Sequence, residues 1–272
     1  MCRLYAMCAN EPTRVECSLV HAQNALMRQS AKDAEGLVHS HGWGVADYRD
    51  GLPLVEKQTW AAYHGEHFKK SAARVYANTV VAHVRRATVG GTSLENTHPF
   101  HHGRWLFAHN GTIPRFAAVR DKMMQHIDPV LQNDIKGDTD SEHIFFYLLS
   151  LQIHHTDKSL KKIVQHGLQQ IIAWSFEVAP NAQAGLNIVM TNGEVLVGSR
   201  HGRTLWHLVR EQMTTCPECG LSHVHHRPGR DYRAVEVASE PITKEKWRQF
   251  ADDVVYTIDN DLHFEVEGLL TR

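Results

Sequence analysis

Segments in which apolar and β-branched residues alternate occupy both ends of this 272-residue chain, while segments of helical period are confined to its middle. Strand patterns come first, at RLYAM (3–7), GWGVADY (42–48), TVVAHV (79–84) and RWLFAH (104–109). Two helices follow. Asp140 or Ser141 caps a run carrying Ile144, Phe145, Leu148, Leu149 and Leu151, and a second run sets Leu160, Ile163, Val164, Leu168, Ile171 and Ile172 on one stripe. Beyond Pro180 the strands return as LNIVMT and EVLVGS, joined by Asn192-Gly193, a hairpin signal whose two turn positions require positive φ. TLWHLV (204–209), YRAVEVA (232–238), DVVYTI (253–258) and HFEVE (263–267) complete the set. Strands, then helices, then strands predict an α+β fold with mainly antiparallel sheets, because a doubly wound parallel sheet needs strands and helices in alternation. With no repeat, low-complexity tract or linker in view, residues 1–272 read as a single domain with a polar insertion at 214–230.

A chain of this length can bury roughly three quarters of its unfolded surface and needs no staples. Its net charge of -1 argues against nucleic acid or a membrane surface as partner and favours a small molecule or another protein. The longest apolar runs, such as VVAHV and FFYLLSL, fall well short of the ~20 residues of a spanning helix. Arg3 is followed by no apolar signal-peptide core, so the expected location is cytoplasmic. Five cysteines, an odd number, fit reduced thiols better than a disulfide framework. The 21 histidines are read as structural unless their neighbours argue otherwise.

Four stretches carry groups capable of chemistry: MCRLYAM at the start, AHVRRATVGG (82–91), AHNGTI (108–113) and GDTDSE (137–142). Taken singly, each has a structural explanation. Cys2 serves as a small hydrophobe, Arg85 and Arg86 as a solvated pair, Asn110-Gly111 as a turn, and Asp138 to Glu142 as a helix cap. Together, and with HGWGVADY (41–48), ENTHPF (95–100) and SEPIT (239–243), they resemble the glutaminase domain of the class II glutamine amidotransferases, within the N-terminal nucleophile hydrolases. The similarity extends over nearly the whole chain and is closest to stand-alone γ-glutamyl hydrolase-type members.

The resemblance implies a four-layer αββα sandwich, with two helical layers outside two antiparallel sheets. It also implies hydrolysis of a γ-glutamyl amide through a γ-glutamyl thioester, releasing glutamate and ammonia or an amine. With Met1 removed, Cys2 would supply the thiolate and its own α-amine the base, at reference pKa values of about 8.5 and about 7.7–8.0. The implied oxyanion donors are the Asn110 side-chain amide and the Gly111 backbone N–H, a role that glycine suits because nothing on its Cα blocks the substrate. Arg85 would fork onto the substrate carboxylate, Asp140 would pair with its ammonium, and Thr88 would add a backbone or hydroxyl contact. No cofactor enters this chemistry. The chain departs from the family at Arg86, where many members have Trp, at Val89-Gly90 in place of His-Gly, and at His41 in place of Asp. Arg86 points to a larger, acidic γ-glutamyl compound as an alternative to glutamine.

TTCPECGLSHVHHRPG (214–229) lies outside the resemblance. Cys216 and Cys219 form one CPxCG knuckle and His223, His225 and His226 follow, enough for a tetrahedral structural zinc. The alternative is a histidine-rich surface loop with free thiols. A metal here would close the loop rather than catalyse, since four protein ligands leave no open position.

The expected partner is a small-molecule γ-glutamyl substrate. A second reading adds a separate synthase subunit that receives the ammonia, and a third keeps the fold as a non-catalytic zinc-binding interaction module. The joint presence of Cys2, Arg85, Asn110, Gly111 and Asp140 opposes the third, because a purely structural protein has no physical reason to keep them together.

Overall fold

The computed structural model describes residues 2–211, 215–216, 218–224 and 231–270. Strands run in chain order as β1 (Arg3–Arg14), β2 (Trp43–Arg49), β3 (Leu52–Gln58), β4 (Tyr76–Val84), β5 (Phe100–His102), β6 (Trp105–Thr112), β7 (Gly185–Thr191), β8 (Leu196–Arg200), β9 (Trp206–Glu211), β10 (Arg233–Ala238), β11 (Arg248–Gln249), β12 (Val254–Ile258) and β13 (Phe264–Gly268). The helices are α1 (Leu26–Ala31), α2 (Glu66–Arg74), α3 (Phe116–Met124), α4 (Pro129–Gln132), α5 (Asp140–His154) and α6 (Leu160–Val178), with a π-helical turn at Cys17–His21. All ladders are antiparallel: a seven-stranded sheet ordered β11-β9-β10-β1-β4-β2-β3 and a six-stranded sheet ordered β13-β12-β8-β7-β6-β5.

The alternation along β1 shows why the layers stack. Leu4, Ala6 and Cys8 enter an inter-sheet core with Leu106, Ala108, Val189 and Tyr256 of the second sheet. Tyr5, Met7 and Ala9 face the other way, onto Leu19 of the π-turn, Leu26 of α1 and Phe68 of α2. On the far side, Phe107, Ile188 and Met190 meet Val119, Ile144, Phe145, Leu148 and Leu168 from α3, α5 and α6. The result is the expected αββα sandwich, with β1 buried on both faces over Leu4 to Ala9 and apolar throughout that run.

Two local expectations are corrected. The cap of α5 is Thr139, whose hydroxyl accepts the Glu142 N–H at 3.2 Å; Asp140 is the first helical residue. The β7–β8 hairpin forms, but with a four-residue loop in which only Gly193 (φ +88°) is left-handed. Asn192 instead uses its side-chain oxygen to accept the N–H groups of Glu194 and Val195, an Asx turn that needs no positive φ. Strands β3, β5 and β11 were not anticipated. In LPLVEKQ, Pro53 argues against a strand, yet β3 is a sheet edge, where a missing N–H costs no ladder bond. Among the described residues no helix is long and apolar enough to cross a membrane.

Candidate active site

Cys2 sits immediately ahead of β1, the strand in the middle of the seven-stranded sheet. Its half-buried thiol lies 3.4 Å from both the backbone N–H and the carbonyl of Arg86, at the exit of β4. Burial pushes the thiol up, and the Arg86 N–H pulls against it by favouring the thiolate. Arg3 fixes the neighbouring backbone: Nη1 donates to the Cys2 carbonyl at 3.0 Å, Nε reaches Glu240 at 2.7 Å and Nη2 reaches Asp33 at 2.6 Å. His39 closes this buried cluster, with Nε2 at 2.8 Å from Asp33. Opposite, Leu4 and Ser239 exchange bonds: the Leu4 N–H donates to the Ser239 hydroxyl at 2.9 Å, and the Ser239 N–H to the Leu4 carbonyl at 3.0 Å.

That same Ser239 hydroxyl accepts from Asn110 Nδ2 at 3.1 Å, which ties the end of β6 to the strand behind the thiol. Asn110 is buried, and its Oδ1 has no hydrogen-bond partner among the described residues. A 180° turn of the amide lets Ser239 donate to Oδ1 and swings the NH₂ outward; in either orientation one end of the amide remains available to a ligand. Gly111 follows. A Cβ there would fall 1.8 Å from the Gly185 carbonyl oxygen and 2.5 Å from His109 Nε2. The neighbouring strand β7 therefore demands glycine at this position, independently of any substrate.

Asp140 accepts the Ile113 N–H at 2.8 Å through Oδ2 and the Ser141 N–H at 2.8 Å through Oδ1, so it clasps the segment just past Gly111. Arg85 is buried, and it donates through Nη1 to the Gly91 carbonyl at 2.9 Å and through Nη2 to the Val89 carbonyl at 3.0 Å. These bonds shape residues 89–91 into a loop that Asn96 locks to the GDTDSE segment: its Nδ2 donates to Gly91 O (3.1 Å) and Asp138 Oδ1 (2.7 Å), and its Oδ1 accepts from Asp138 N (3.0 Å). Gly90, at φ +74°, packs where a Cβ would lie 2.4 Å from Asp138 Oδ1. Thr88 is exposed and meets Thr112 hydroxyl to hydroxyl at 2.9 Å. His41 accepts the Ala87 N–H at 3.2 Å through Nδ1 and so steadies the segment that faces Cys2.

The structure thus gathers Cys2, Arg85, Thr88, Asn110, Gly111 and Asp140 at one end of the sandwich. The Arg85 guanidinium and the Asp140 carboxylate both lie within electrostatic reach of the Cys2 thiol. Arg3, Asp33, Ser239 and Glu240, which hold the site from behind, were not singled out from sequence, although Ser239 and Glu240 open the SEPIT stretch. Beneath the site, His83, His98 and His109 are buried and their imidazoles are pushed down by desolvation, so they serve as neutral packing groups. His83 and His98 stack at 4.1 Å between centroids, and His109 bridges Ser141 Oγ and Gly185 O.

Of the residues expected to bind metal, Cys216, Cys219 and His223 cluster, and Cys17 from the π-turn joins them. His225 and His226 lie outside the described residues.

Stacked antiparallel sheets with helices outside, and a thiol placed just ahead of a central strand, define the N-terminal nucleophile hydrolase fold. A family model described as glutamine amidotransferases class-II matches residues 1–260, and the chain belongs to that family of enzymes. It is 28% identical over 295 residues to the Saccharomyces cerevisiae protein named "Probable glutamine amidotransferase DUG3", covering 95% of this chain and 82% of that one. It is 27% identical over 175 residues to the Mycobacterium tuberculosis gamma-glutamyl-hercynylcysteine sulfoxide hydrolase, covering 64% of each. The solved structure of a glutamine aminotransferase class-II domain protein from Silicibacter pomeroyi has a TM-score of 0.63 at 17% identity, covering 98% of both chains.

Proposed function

We propose that this enzyme hydrolyses a γ-glutamyl amide, glutamine or a γ-glutamyl compound, through a thioester on Cys2. The observation that carries the reading is the link Cys2–Arg3–Leu4–Ser239–Asn110, which holds a thiol and an amide of free valence at one locus. With Met1 removed, the α-amine of Cys2 takes the thiol proton as the sulfur attacks the γ-carbonyl. That amine then hands the proton to the departing amine or ammonia, and water later cleaves the thioester. Asn110 stabilises the oxyanion of each tetrahedral intermediate. The carbonyl contacts of Arg85 use N–H groups on Nη1 and Nη2 alone, which leaves further donors of its fork for a substrate carboxylate. Asp140 retains lone pairs beyond its two backbone bonds for the substrate ammonium. The same reading puts the enzyme in the cytoplasm, where its free cysteines stay reduced.

The test is an intact-mass spectrum before and after 6-diazo-5-oxonorleucine. Loss of the methionine mass and one adduct mapping to Cys2 are expected, with no adduct on Cys2→Ala. A processed chain that takes no label at Cys2 would overturn the mechanism. Recovery of a synthase that turns over only in the presence of this chain and glutamine would instead assign it as an ammonia-supplying subunit.

A further inference from the structure

The geometry points to a structural zinc ion held by Cys17, Cys216, Cys219 and His223, a site independent of the thiol at Cys2. One ligand atom from each of these four residues lies within 4.8 Å of all the others. Tetrahedral bonds of about 2.3 Å to sulfur and about 2.0–2.1 Å to nitrogen give ligand separations of about 3.5–3.8 Å, so the ion needs only a small contraction of the cluster. One pair is already at bonding separation: Cys219 Sγ and His223 Nε2 are 3.2 Å apart.

The surrounding backbone has the form that thiolate ligands require. Cys216 opens a tight knuckle in which the Gly220 N–H reaches the Cys216 carbonyl at 2.9 Å and the Cys216 N–H reaches the Leu221 carbonyl at 2.8 Å. Gly220 takes the left-handed conformation at φ +70° that lets the chain reverse after Cys219. The Glu218 N–H points at Cys216 Sγ from 3.4 Å, a bond that favours the thiolate. The other half of the site is remote in sequence but already docked. The Arg14 N–H donates to the His223 carbonyl at 2.9 Å, and Thr13 forms an isolated β-bridge with Val224. These contacts bring the β9–β10 connection against the end of β1, and the π-helical turn then presents Cys17, itself buried, to the knuckle.

Three thiolates and one imidazole, with no carboxylate or open position, suit zinc and a structural role. The ion would staple the β9–β10 connection to the turn that follows β1. Ser18, next to Cys17, donates to Glu236 of β10 at 3.4 Å, and Tyr5 of β1 donates to the same carboxylate at 2.9 Å, so the staple rests on a polar pair already shared by adjacent strands.

The test is zinc content of the full chain purified without chelator, read by elemental mass spectrometry and repeated after reconstitution with Zn²⁺. One equivalent per chain is expected. Cys17→Ser and Cys219→Ser should each fall below about a fifth of an equivalent, whereas a His225→Ala/His226→Ala double variant and Cys2→Ala should keep the full equivalent. Because Cys219 is exposed, its variant reports even if Cys17→Ser fails to fold. Cobalt substitution of the wild type should give a thiolate-to-metal charge-transfer band with the intensity of three thiolates. Chelation should lower the melting temperature by on the order of 10 °C. Less than half an equivalent in the wild type after reconstitution, or a two-thiolate cobalt spectrum, would overturn the site. Full zinc in Cys17→Ser would remove Cys17 from it. Since zinc content is read without turnover, in Cys2→Ala as in the wild type, failure here and failure of the amide-hydrolase reading are separate results.

Discussion

Arg3 donates to the carbonyl of Cys2 at 3.0 Å while its remaining nitrogens are taken by Asp33 and Glu240. The residue after Cys2 is therefore its anchor: a cation buried between two carboxylates is held in place, and the peptide unit it holds carries the Cys2 thiol.

Replacing Arg3 by Met should cost about 3–5 kcal/mol, because Asp33 and Glu240 would be left buried without a countercharge. Arg3→Lys keeps the charge and loses the fork, and should recover part of the stability while kcat stays below wild type. Chemical unfolding alongside steady-state kinetics checks both; a Lys variant with full kcat would separate the anchor from catalysis.

Asn110→Ala should lower kcat about 10²- to 10³-fold with KM little changed, the signature of a contact made in the transition state. Ser239→Ala removes the group that accepts from both Leu4 and Asn110, and should lower kcat less, about tenfold, with a measurable loss of stability. An equal effect of Asn110→Ala on KM alone would argue that it binds ground state and transition state alike.

Gly111→Ala is expected to cost more than about 3 kcal/mol, since its Cβ would meet a backbone carbonyl that has nowhere to go. Soluble yield and melting temperature are the readouts, and a normally stable variant would show that β6 and β7 can separate.

Acid should destabilise the fold through its buried histidines from about pH 6.5 downward. Burial holds His39 down to about 4 against the pull of Asp33, and His83 down to about 3. In the unfolded chain both imidazoles take up protons near pH 6.5, so their contribution is complete above that value and is lost as pH falls toward 4. At pH 5 each should have forfeited about 2 kcal/mol. Urea midpoints measured from pH 7.5 to pH 4.5 should therefore slope downward below about 6.5, and a flat profile would refute neutral burial of these groups.

Arg86 is half-buried, with its backbone against the Cys2 thiol. If its side chain selects an acidic leaving group, Arg86→Ala should reduce kcat/KM for glutathione about tenfold relative to that for glutamine. An unchanged ratio would remove Arg86 from specificity.

Much of this was legible in the chain because the informative groups stand in short runs. Cys2, Arg85, Asn110-Gly111 and Asp140 each stand in a short stretch that is ambiguous alone and informative in combination, and the apolar patterns of β1, β4 and β7 mark strands whatever their partners. What escaped is pairing between distant positions. Cys17 looks like any buried small hydrophobe until the fold sets it beside Cys216, and Ser239 has nothing in its own sequence to say that Leu4 and Asn110 converge on it. For glycine at 111 the fold adds a ground of its own, since a side chain there would meet the carbonyl of Gly185. Edge strand β3 was missed because an edge tolerates the proline that an inner strand rejects.

Strand β1 lies between β4 and β10, and the residues that brace its start, Ser239 and Glu240, follow directly after β10. Cys2 is thus seated late in folding, after distant parts of the sequence have met. Its strand waits for a neighbour more than two hundred positions later, a pairing of high contact order. An incompletely folded chain consequently holds the Cys2 thiol apart from the Ser239 bridge to Asn110 and from the Glu240 brace, so the arrangement around the thiol exists only once the sheet is closed.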